Sequence, residues 1–335
     1  MRISRLLWGA VAAALCSTPP VHAWGPDGHH TVGAIAEKLI SGTNAAQQVH
    51  ALLGELSLVD AAVWADCAKG VSTSTFKYGG AGLYPECAVF ETPEGEAAME
   101  DFVRRNATNC VIRPGEESCH KQYHYADIAI QHMTYSPTLV GARNDDIVAA
   151  VRATTEVLKG NPVPAPFNIK DKSEALRLLA HYVGDIHQPL HVGAIYLTAD
   201  GTEVNPDVGT YDPATATRGA NNIKVLPSKS KNLHATWDAI PKAQTMSHVG
   251  PAWLTAAKAV PVSSGPSLTW PAQWAAGTVV QANAALTGPT YGPLSGNAWT
   301  VRLPPGYAQS MATIKKTQLI RAGARLAQLL QDIWP

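Results

Sequence analysis

Two pairs of histidine and aspartate in this sequence are spaced so that both members could hold one metal ion. His181 and Asp185 lie four residues apart, and so do His234 and Asp238. On a helix, residues four apart share a face, so each pair can converge on a single cation. A surface ion pair would have the same spacing. However, the first pair lies in a very apolar segment, where buried charges need a partner. The spacing therefore favours metal binding.

Further candidate ligands accompany these pairs. A proline at position 189 should end the first helix and let His191 turn back towards the same pocket. Three more candidates, each a weak signal by itself, are His29, Asp66 at the end of an apolar helix, and His124 in a His-Tyr-Ala-Asp segment. All of these ligand atoms are nitrogen or oxygen, which suits a catalytic zinc ion with exchangeable water.

Helices must position these residues, because helical periodicity dominates the chain and strand-like alternation is scarce. We predict an all-α fold, with a single mainly helical domain over residues 24–335. The predicted helices are 27–40, 45–53, 59–68, 94–105, 144–159, 172–187 and 306–333, and the best strand candidate is 223–226. Segments 71–87, 198–218 and 261–271 read as surface insertions. In the last helix, Lys315 and Lys316 are expected to be solvated.

The first residues have the pattern of a secretory signal peptide. Arg2 and Arg5 precede an apolar run over 6–16, and small residues end at Ala23. The run is too short to span a membrane. Cleavage after Ala23 would leave Trp24 as the new N-terminus.

Composition limits the partners of the protein. With 335 residues, 46% of them hydrophobic, the chain can bury a large core. Its formal net charge of zero argues against an affinity for nucleic acid that rests on a broad basic surface. Four cysteines follow the predicted signal peptide, which suggests two disulfides in an exported protein. Pairing Cys67 with Cys87 and Cys110 with Cys119 closes the shortest loops, although the sequence alone leaves the other connectivities open.

Together, and in this order, the motifs resemble the zinc-dependent single-strand-specific nucleases of fungi and plants, which share a helical fold with bacterial zinc phospholipases C. The resemblance runs from Trp24 to about Asp238. It is carried by a Trp followed by G-x-x-G-H, then W-A-D, H-x-x-D, H-x-x-x-D-x-x-x-x-x-H and H-x-x-x-D.

The resemblance implies three zinc ions per chain. The first would be held by Asp66, His124, His181 and Asp185, the second by His191, His234 and Asp238, and the third by His29, Asp185 and the free amine and carbonyl of Trp24. It also implies that zinc-activated water hydrolyses phosphodiester bonds of single-stranded DNA and RNA to 5′-phosphorylated products.

The resemblance also assigns residues that would contact the substrate. Asp127 would orient the attacking water, Tyr125 would stack on a base, and Lys69 and Asn221 would contact the phosphate. Two positions depart from the family pattern: Lys69 stands where fungal members have arginine, and Ala220 stands where glycine is usual. Lysine keeps the charge but lacks the bidentate fork, and Ala220 is expected to restrict the backbone.

Other functions remain open. The partners that we expect are single-stranded DNA, RNA and nucleotides, with removal of 3′-phosphates as a further activity, and the expected location is secreted or periplasmic. We expect no stable membrane association and no obligate protein partner. The main alternative is a zinc-dependent phospholipase C, although Tyr125 and Asp127 favour the nuclease because a choline headgroup would need an aromatic cage. A protein that only sequesters metal is the third possibility.

Overall fold

The computed structural model describes residues 24–113 and 116–335, so the predicted signal peptide lies outside the described residues. The described chain is mainly helical, as predicted. Its helices are α1 (Pro26–Ile40), α2 (Asn44–Leu53), α3 (Leu58–Ala61), α4 (Trp64–Ala68), α5 (Pro93–Asn106), α6 (Cys119–Gln122), α7 (Ile147–Leu158), α8 (Lys172–Asp185), α9 (Pro189–Val192), α10 (Leu233–Asp238), α11 (Pro251–Lys258), α12 (Trp270–Leu286) and α13 (Tyr307–Ile333).

Short strands form small sheets between the helices. Their bounds are β1 (Ile128–Ala129), β2 (Gly193–Ala194), β3 (Tyr196–Leu197), β4 (Glu203–Val204), β5 (Ile223–Val225), β6 (Thr290–Ser295) and β7 (Ala298–Arg302). Strand β1 pairs parallel with β2, and β3 pairs antiparallel with β4. Strand β7 lies between β5, its parallel neighbour, and β6, its antiparallel neighbour. The strand predicted at 223–226 is confirmed as β5.

The core is built around α8, which is buried over nearly its whole length. This helix packs against α1, α3, α7 and α13. Helices α1 and α13 approach closely at Gly323, where an added Cβ would lie 2.5 Å from the Cβ of Ile35. Trp24, Trp64 and Trp237 are fully buried. Burial of a large apolar side chain typically contributes about 1.5–3 kcal/mol, so these residues anchor the site-bearing elements.

Several sequence predictions need correction. The predicted helix 59–68 is two short helices, α3 and α4, which a turn at residues 62–63 separates. A capping box formed by Ser57 and Asp60 starts the first of them. Helices α11 and α12 were not predicted. Pro271, placed in a surface insertion, is buried at the start of α12, where a proline is tolerated because its missing N–H has no helical partner.

Lys315 was also predicted wrongly, since it is only 1% exposed and therefore not solvated. It lies on the same stripe of α13 as Leu319 and Ala322, which face the core. The preferred disulfide pairing is confirmed: Cys67 is bonded to Cys87, and Cys110 to Cys119. Among the described residues, no helix combines the length and the apolar character needed to cross a bilayer.

Candidate metal centre

Five helices carry the candidate ligands into the core. Helix α8 presents His181 and Asp185 from one face, and α10 presents His234 and Asp238 in the same way. Pro189 starts α9, and this new helix carries His191 towards the same region. The remaining helical ligands are His29 on α1 and Asp66 on α4. In both helices the two residues of the pair share one face, as the four-residue spacing predicts.

These side chains form three buried groups whose ligand atoms lie within 4.8 Å of one another. The groups are His29, Asp66 and His181; His124, His181 and Asp185; and His191, His234 and Asp238, the last of which we call the second cluster. His29 also lies close to Asp185, since its Nε2 is 3.3 Å from Asp185 Oδ1.

Backbone carbonyls fix the tautomers of three of these histidines. The Nδ1 atom of His181 donates to Ala62 O at 2.6 Å, and that of His234 donates to Gly219 O at 2.7 Å. In the same way, His191 Nδ1 donates to the carbonyl of His124 at 2.8 Å. A carbonyl can only accept, so each Nδ1 carries a proton, and in the neutral ring the Nε2 atom presents its lone pair to the interior.

In the second cluster, two inward nitrogens face each other with no proton between them, since His191 Nε2 lies 3.0 Å from His234 Nε2 and both Nδ1 atoms carry the ring proton. His181 Nε2 lies 3.1 Å from His124 Nδ1, a distance that an ordinary hydrogen bond also explains. Burial lowers the pKa of His234 to about 3 and also lowers the pKa of His191, which disfavours a proton there. Two neutral imidazole lone pairs at this distance repel each other, whereas a metal ion would bind both. The residues therefore fit the implied metal.

Asp185 and His29 provide further support. Burial alone would raise the pKa of Asp185, but its interactions with the surrounding imidazoles, that with His181 first among them, outweigh burial and hold the pKa well below its usual range. Asp185 is therefore an anion in the interior. His29 is fully buried with no hydrogen-bond partner for either ring nitrogen among the described residues, and burial lowers its pKa to about 4. Such buried groups are the ordinary companions of a bound cation.

Tyr125 and Asp127 lie beside the second cluster. The backbone N–H of Ala126, between them, donates to His191 O at 2.8 Å, and β1 and β2 continue this pairing. Both side chains are partly buried. Burial raises the pKa of Asp127 to about 6, although the N–H of Gly219 and the charge of Arg218 oppose this increase. The structure thus places the chain segment that carries both predicted substrate residues beside the second cluster.

Lys69 and Asn221 also lie at the centre, but each is held by a neighbour. Lys69 Nζ is 2.7 Å from Asp66 Oδ1. Burial would lower the pKa of Lys69, but Asp66 and Asp185 outweigh it and the pKa is raised. Asn221 Nδ2 donates to Arg218 O at 3.0 Å. Lys69 therefore adds positive charge next to the carboxylates of Asp66 and Asp185.

A left-handed turn connects Asp127 with the second cluster. Arg218, Gly219 and Ala220 have φ angles of 54°, 54° and 66°. An added Cβ on Gly219 would lie 2.4 Å from Leu190 O and 3.3 Å from the Nδ1 atom of His234. Ala220, expected to restrict the backbone, adopts the left-handed conformation all the same. Its side chain is fully buried.

The N-terminal tryptophan is tied to two of the ligand helices. Trp24 Nε1 donates to Gly184 O at 2.9 Å, next to Asp185, and the N–H of Gly25 donates to Asp238 O at 2.9 Å. The start of the described chain therefore lies at the centre. His187, between two candidate ligands in sequence, points away: its Nδ1 bonds Val183 O at 2.8 Å and its other nitrogen meets Arg325.

Two supporting residues were missed in the sequence. Gln188 Nε2 donates to Asp238 Oδ1 at 2.7 Å, and Lys315 Nζ donates to Thr236 O at 2.8 Å and to Ala239 O, at the end of α10. Gln188 thus holds the Asp238 carboxylate of the second cluster in place, and Lys315 holds the end of α10. For Lys315 the signal was its position on the apolar stripe of α13. Gln188 gave a weaker signal. Its position before Pro189 indicates only a local helix cap, in which Leu190 N donates to Gln188 Oε1, and does not indicate the bond to Asp238.

The fold and the site define a mainly helical protein with a buried candidate metal centre of imidazole and carboxylate ligands. The chain belongs to the S1/P1 nuclease family: the family described as S1/P1 Nuclease matches residues 24–335. The predicted resemblance is thereby confirmed, as is the mainly helical fold that this family shares with phospholipases C.

Individual relatives are more distant. The chain is 28% identical to Endonuclease 5 of Arabidopsis thaliana over 244 residues, which cover 69% of this chain and 61% of that protein. It is 24% identical to Nuclease S1 of Aspergillus oryzae over 237 residues, covering 68% of this chain and 57% of that protein. Endonuclease 1 of Arabidopsis thaliana is 25% identical over 230 residues, with 67% and 55% covered. The matched region thus spans less than two thirds of each relative.

Proposed function

We propose that this protein is a zinc-dependent endonuclease that hydrolyses single-stranded DNA and RNA to 5′-phosphorylated products. The observation that carries the proposal is the 3.0 Å approach of His191 Nε2 to His234 Nε2, with both rings fixed in the tautomer that can bind metal. Family membership supports the reaction class.

Three zinc ions per chain would be bound by the predicted ligands. The first would take Asp66, His124, His181 and Asp185; the second, His191, His234 and Asp238; the third, His29, Asp185 and the amine and carbonyl of Trp24. Cleavage after Ala23 would supply that amine. When bound, zinc lowers the pKa of water from 15.7 to about 7 and neutralises charge on a phosphate oxygen.

Asp127 would act on the attacking water. Its carboxyl lies beside the second cluster, and its pKa of about 6 leaves it ionised at neutral pH. An ionised carboxylate accepts a hydrogen bond from water and so aligns the oxygen with the phosphorus. It can also take the proton that the water loses. Tyr196 holds this segment in place, because its hydroxyl donates to Asp127 O at 2.7 Å.

Tyr125 would select single strands by stacking on a base. Base–aromatic stacking contributes about 1–3 kcal/mol and tolerates any base, which allows action on both DNA and RNA. The base must first leave its own stack, and that step is easiest in a single strand. Lys69 and Asn221 would contact phosphate oxygens, with Lys69 supplying charge and Asn221 an amide donor.

The location and the further activity are part of the same proposal. We place the protein outside the cytoplasm, secreted or periplasmic, which the two disulfides support because such bonds persist in oxidising compartments. Residues 24–335 would form one nuclease domain. Its substrates would include nucleotides with a 3′-phosphate, because a free nucleotide presents the same base and phosphate as a strand end.

The test uses the protein that begins at Trp24, loaded with zinc. It is incubated with single-stranded DNA, duplex DNA and phosphatidylcholine vesicles in parallel, with and without a chelator, and the products are identified. We expect chelator-sensitive release of 5′-phosphorylated products from the single strand. Headgroup release with intact DNA would show a phospholipase C instead. Bound zinc with no turnover of any substrate would indicate a protein that only binds metal.

A further inference from the structure

Arg218 has an unusual backbone and an unused charge. It is exposed, and its φ of 54° lies in the left-handed region that residues with a side chain rarely adopt. Among the described residues, its guanidinium makes no hydrogen bond or ion pair. Strained residues of this kind concentrate at ligand-binding sites, because the surrounding structure must hold them there.

The turn that carries Arg218 is held rigidly over the second cluster. Thr217 Oγ1 donates to Ile195 O at 2.6 Å on one side of Arg218, and Gly219 O accepts from His234 Nδ1 at 2.7 Å on the other. Within the turn, the N–H of Asn221 donates to Arg218 O at 3.0 Å. Arg218 is therefore one residue from a backbone group that bonds a candidate ligand, and its charge is close enough to lower the pKa of Asp127.

Binding of a polyanionic strand at the metal centre would be favoured by an exposed cation near it. The chain has a formal net charge of zero, so attraction of a polyanion depends on local charge. Lys69 is buried and engaged with Asp66. A bidentate guanidinium suits a phosphate with two accessible oxygens better than an ammonium does. Arg218 offers this group at the surface next to Asp127.

We propose that Arg218 binds a backbone phosphate of the single strand, next to the phosphate that is cleaved. This proposal rests on the proposed nuclease function. It adds a substrate-binding residue that lies outside all five helices that carry candidate ligands, within the segment 198–218 that was predicted as an insertion. Arg218 would position the strand and would leave the chemistry to the centre.

The test measures how salt weakens binding of a single-stranded phosphorothioate oligonucleotide to the zinc-loaded protein. Arg218→Ala should raise Kd about tenfold and reduce the slope of log K against log salt by about 0.7, the value for one phosphate contact on a single strand. Arg218→Gln should do the same while keeping a polar side chain that reaches as far as Cδ. Arg218→Lys should keep the slope but bind more weakly, since it keeps the charge and loses the fork.

Arg104→Ala is the matched control. Arg104 is also an exposed arginine, on α5, with its guanidinium 5.5 Å from the ring centroid of Phe76, and its loss should leave the slope unchanged. Zinc content and Tm of each variant report on the fold. An unchanged slope in both Arg218→Ala and Arg218→Gln, with normal binding by the wild type, would overturn the proposal alone. No binding by the zinc-loaded wild type would overturn it together with the nuclease function.

Discussion

His191 and His234 present unprotonated nitrogens to each other at 3.0 Å, and both rings are locked in that state by backbone carbonyls. Neither ring can turn its N–H inward without breaking a buried hydrogen bond, which typically costs about 1–3 kcal/mol when a group is left unsatisfied. The arrangement is unfavourable by itself and favourable around a cation. Stability and metal content should therefore change together in this protein.

Metal removal should lower Tm. Without a cation, the facing nitrogens and the buried Asp185 carboxylate lose their common partner. Binding at a free metal concentration of 1,000 times Kd stabilises a fold by about 4 kcal/mol. Differential scanning calorimetry before and after chelation measures the shift, and added zinc should reverse it. In the double variant His191→Ala/His234→Ala the shift should be smaller. Full removal of metal with no change in Tm would contradict the account.

Gly219→Ala should disrupt the second cluster. The new Cβ would lie 2.4 Å from Leu190 O and 3.3 Å from His234 Nδ1, so the bond that fixes the His234 ring must shift. We expect loss of one zinc equivalent and a fall in turnover of at least about tenfold, because the loss of a partner behind a ligand typically lowers affinity or activity about 10–100-fold.

Gly209→Ala is the matched control for this change. Gly209 has φ of 80°, also left-handed, but nothing lies within 4 Å of its added Cβ. Both variants carry the strain of a left-handed alanine, about 1–2 kcal/mol. Only the first should lose zinc, as measured by elemental analysis. Equal zinc content in the two variants would show that Gly219 does not support the ligand.

Lys315→Met should destabilise α10. The methionine keeps the apolar stem but leaves the carbonyls of Thr236 and Ala239 without the ammonium that bonds them. We expect the free energy of unfolding to fall by about 2 kcal/mol, in line with hydrogen bonds to charged groups. Zinc affinity should fall as well, since α10 carries two ligands.

Lys316→Met controls for the loss of a lysine on α13. Lys316 is exposed, with Nζ 5.2 Å from the Trp253 ring centroid, and an exposed cation–π contact contributes about 0.5–1 kcal/mol. Urea unfolding of both variants compares the two effects. If Lys316→Met costs as much as Lys315→Met, the buried bonds to α10 do not contribute as argued.

Asp127→Asn should keep the zinc content and lower turnover by about 10²–10⁴-fold, the usual contribution of a general base. The wild type should lose kcat/KM as pH falls through the pKa of this group. Burial raises that pKa to about 6, and bound cations could only lower it, so the midpoint should lie at or below about 6. Asp127→Asn should lack this acid limb. Full activity in the variant would remove Asp127 from the mechanism.

The ligand pairs could be predicted because a helix converts a four-residue spacing directly into a shared face. His181 with Asp185 and His234 with Asp238 needed no knowledge of the rest of the chain. The disulfides could be ranked by loop length but not decided. By contrast, Lys315 was misjudged because a charged residue is usually solvated, and only the carbonyls at the end of α10 explain its burial.

Contacts between residues far apart in the chain could not be predicted from the sequence. Gln188 bonds Asp238 across 50 residues, and the grouping of His29 with Asp66 and His181 depends on how α1, α4 and α8 pack. Helix α12 was missed because its apolar residues surround the whole helix, so no periodic pattern marked it. Arg218 gave no signal, because its importance lies in the backbone conformation of its turn.

Anomalous diffraction at the zinc edge tests the central claim most directly. Crystals of the protein that begins at Trp24, grown with zinc, would be measured on both sides of the edge. We expect one peak among Asp66, His124, His181 and Asp185, one among His191, His234 and Asp238, and one between His29, Asp185 and Trp24. Zinc peaks only at surface residues, with the facing nitrogens of His191 and His234 still unbridged, would contradict the metal centre and the function proposed for it.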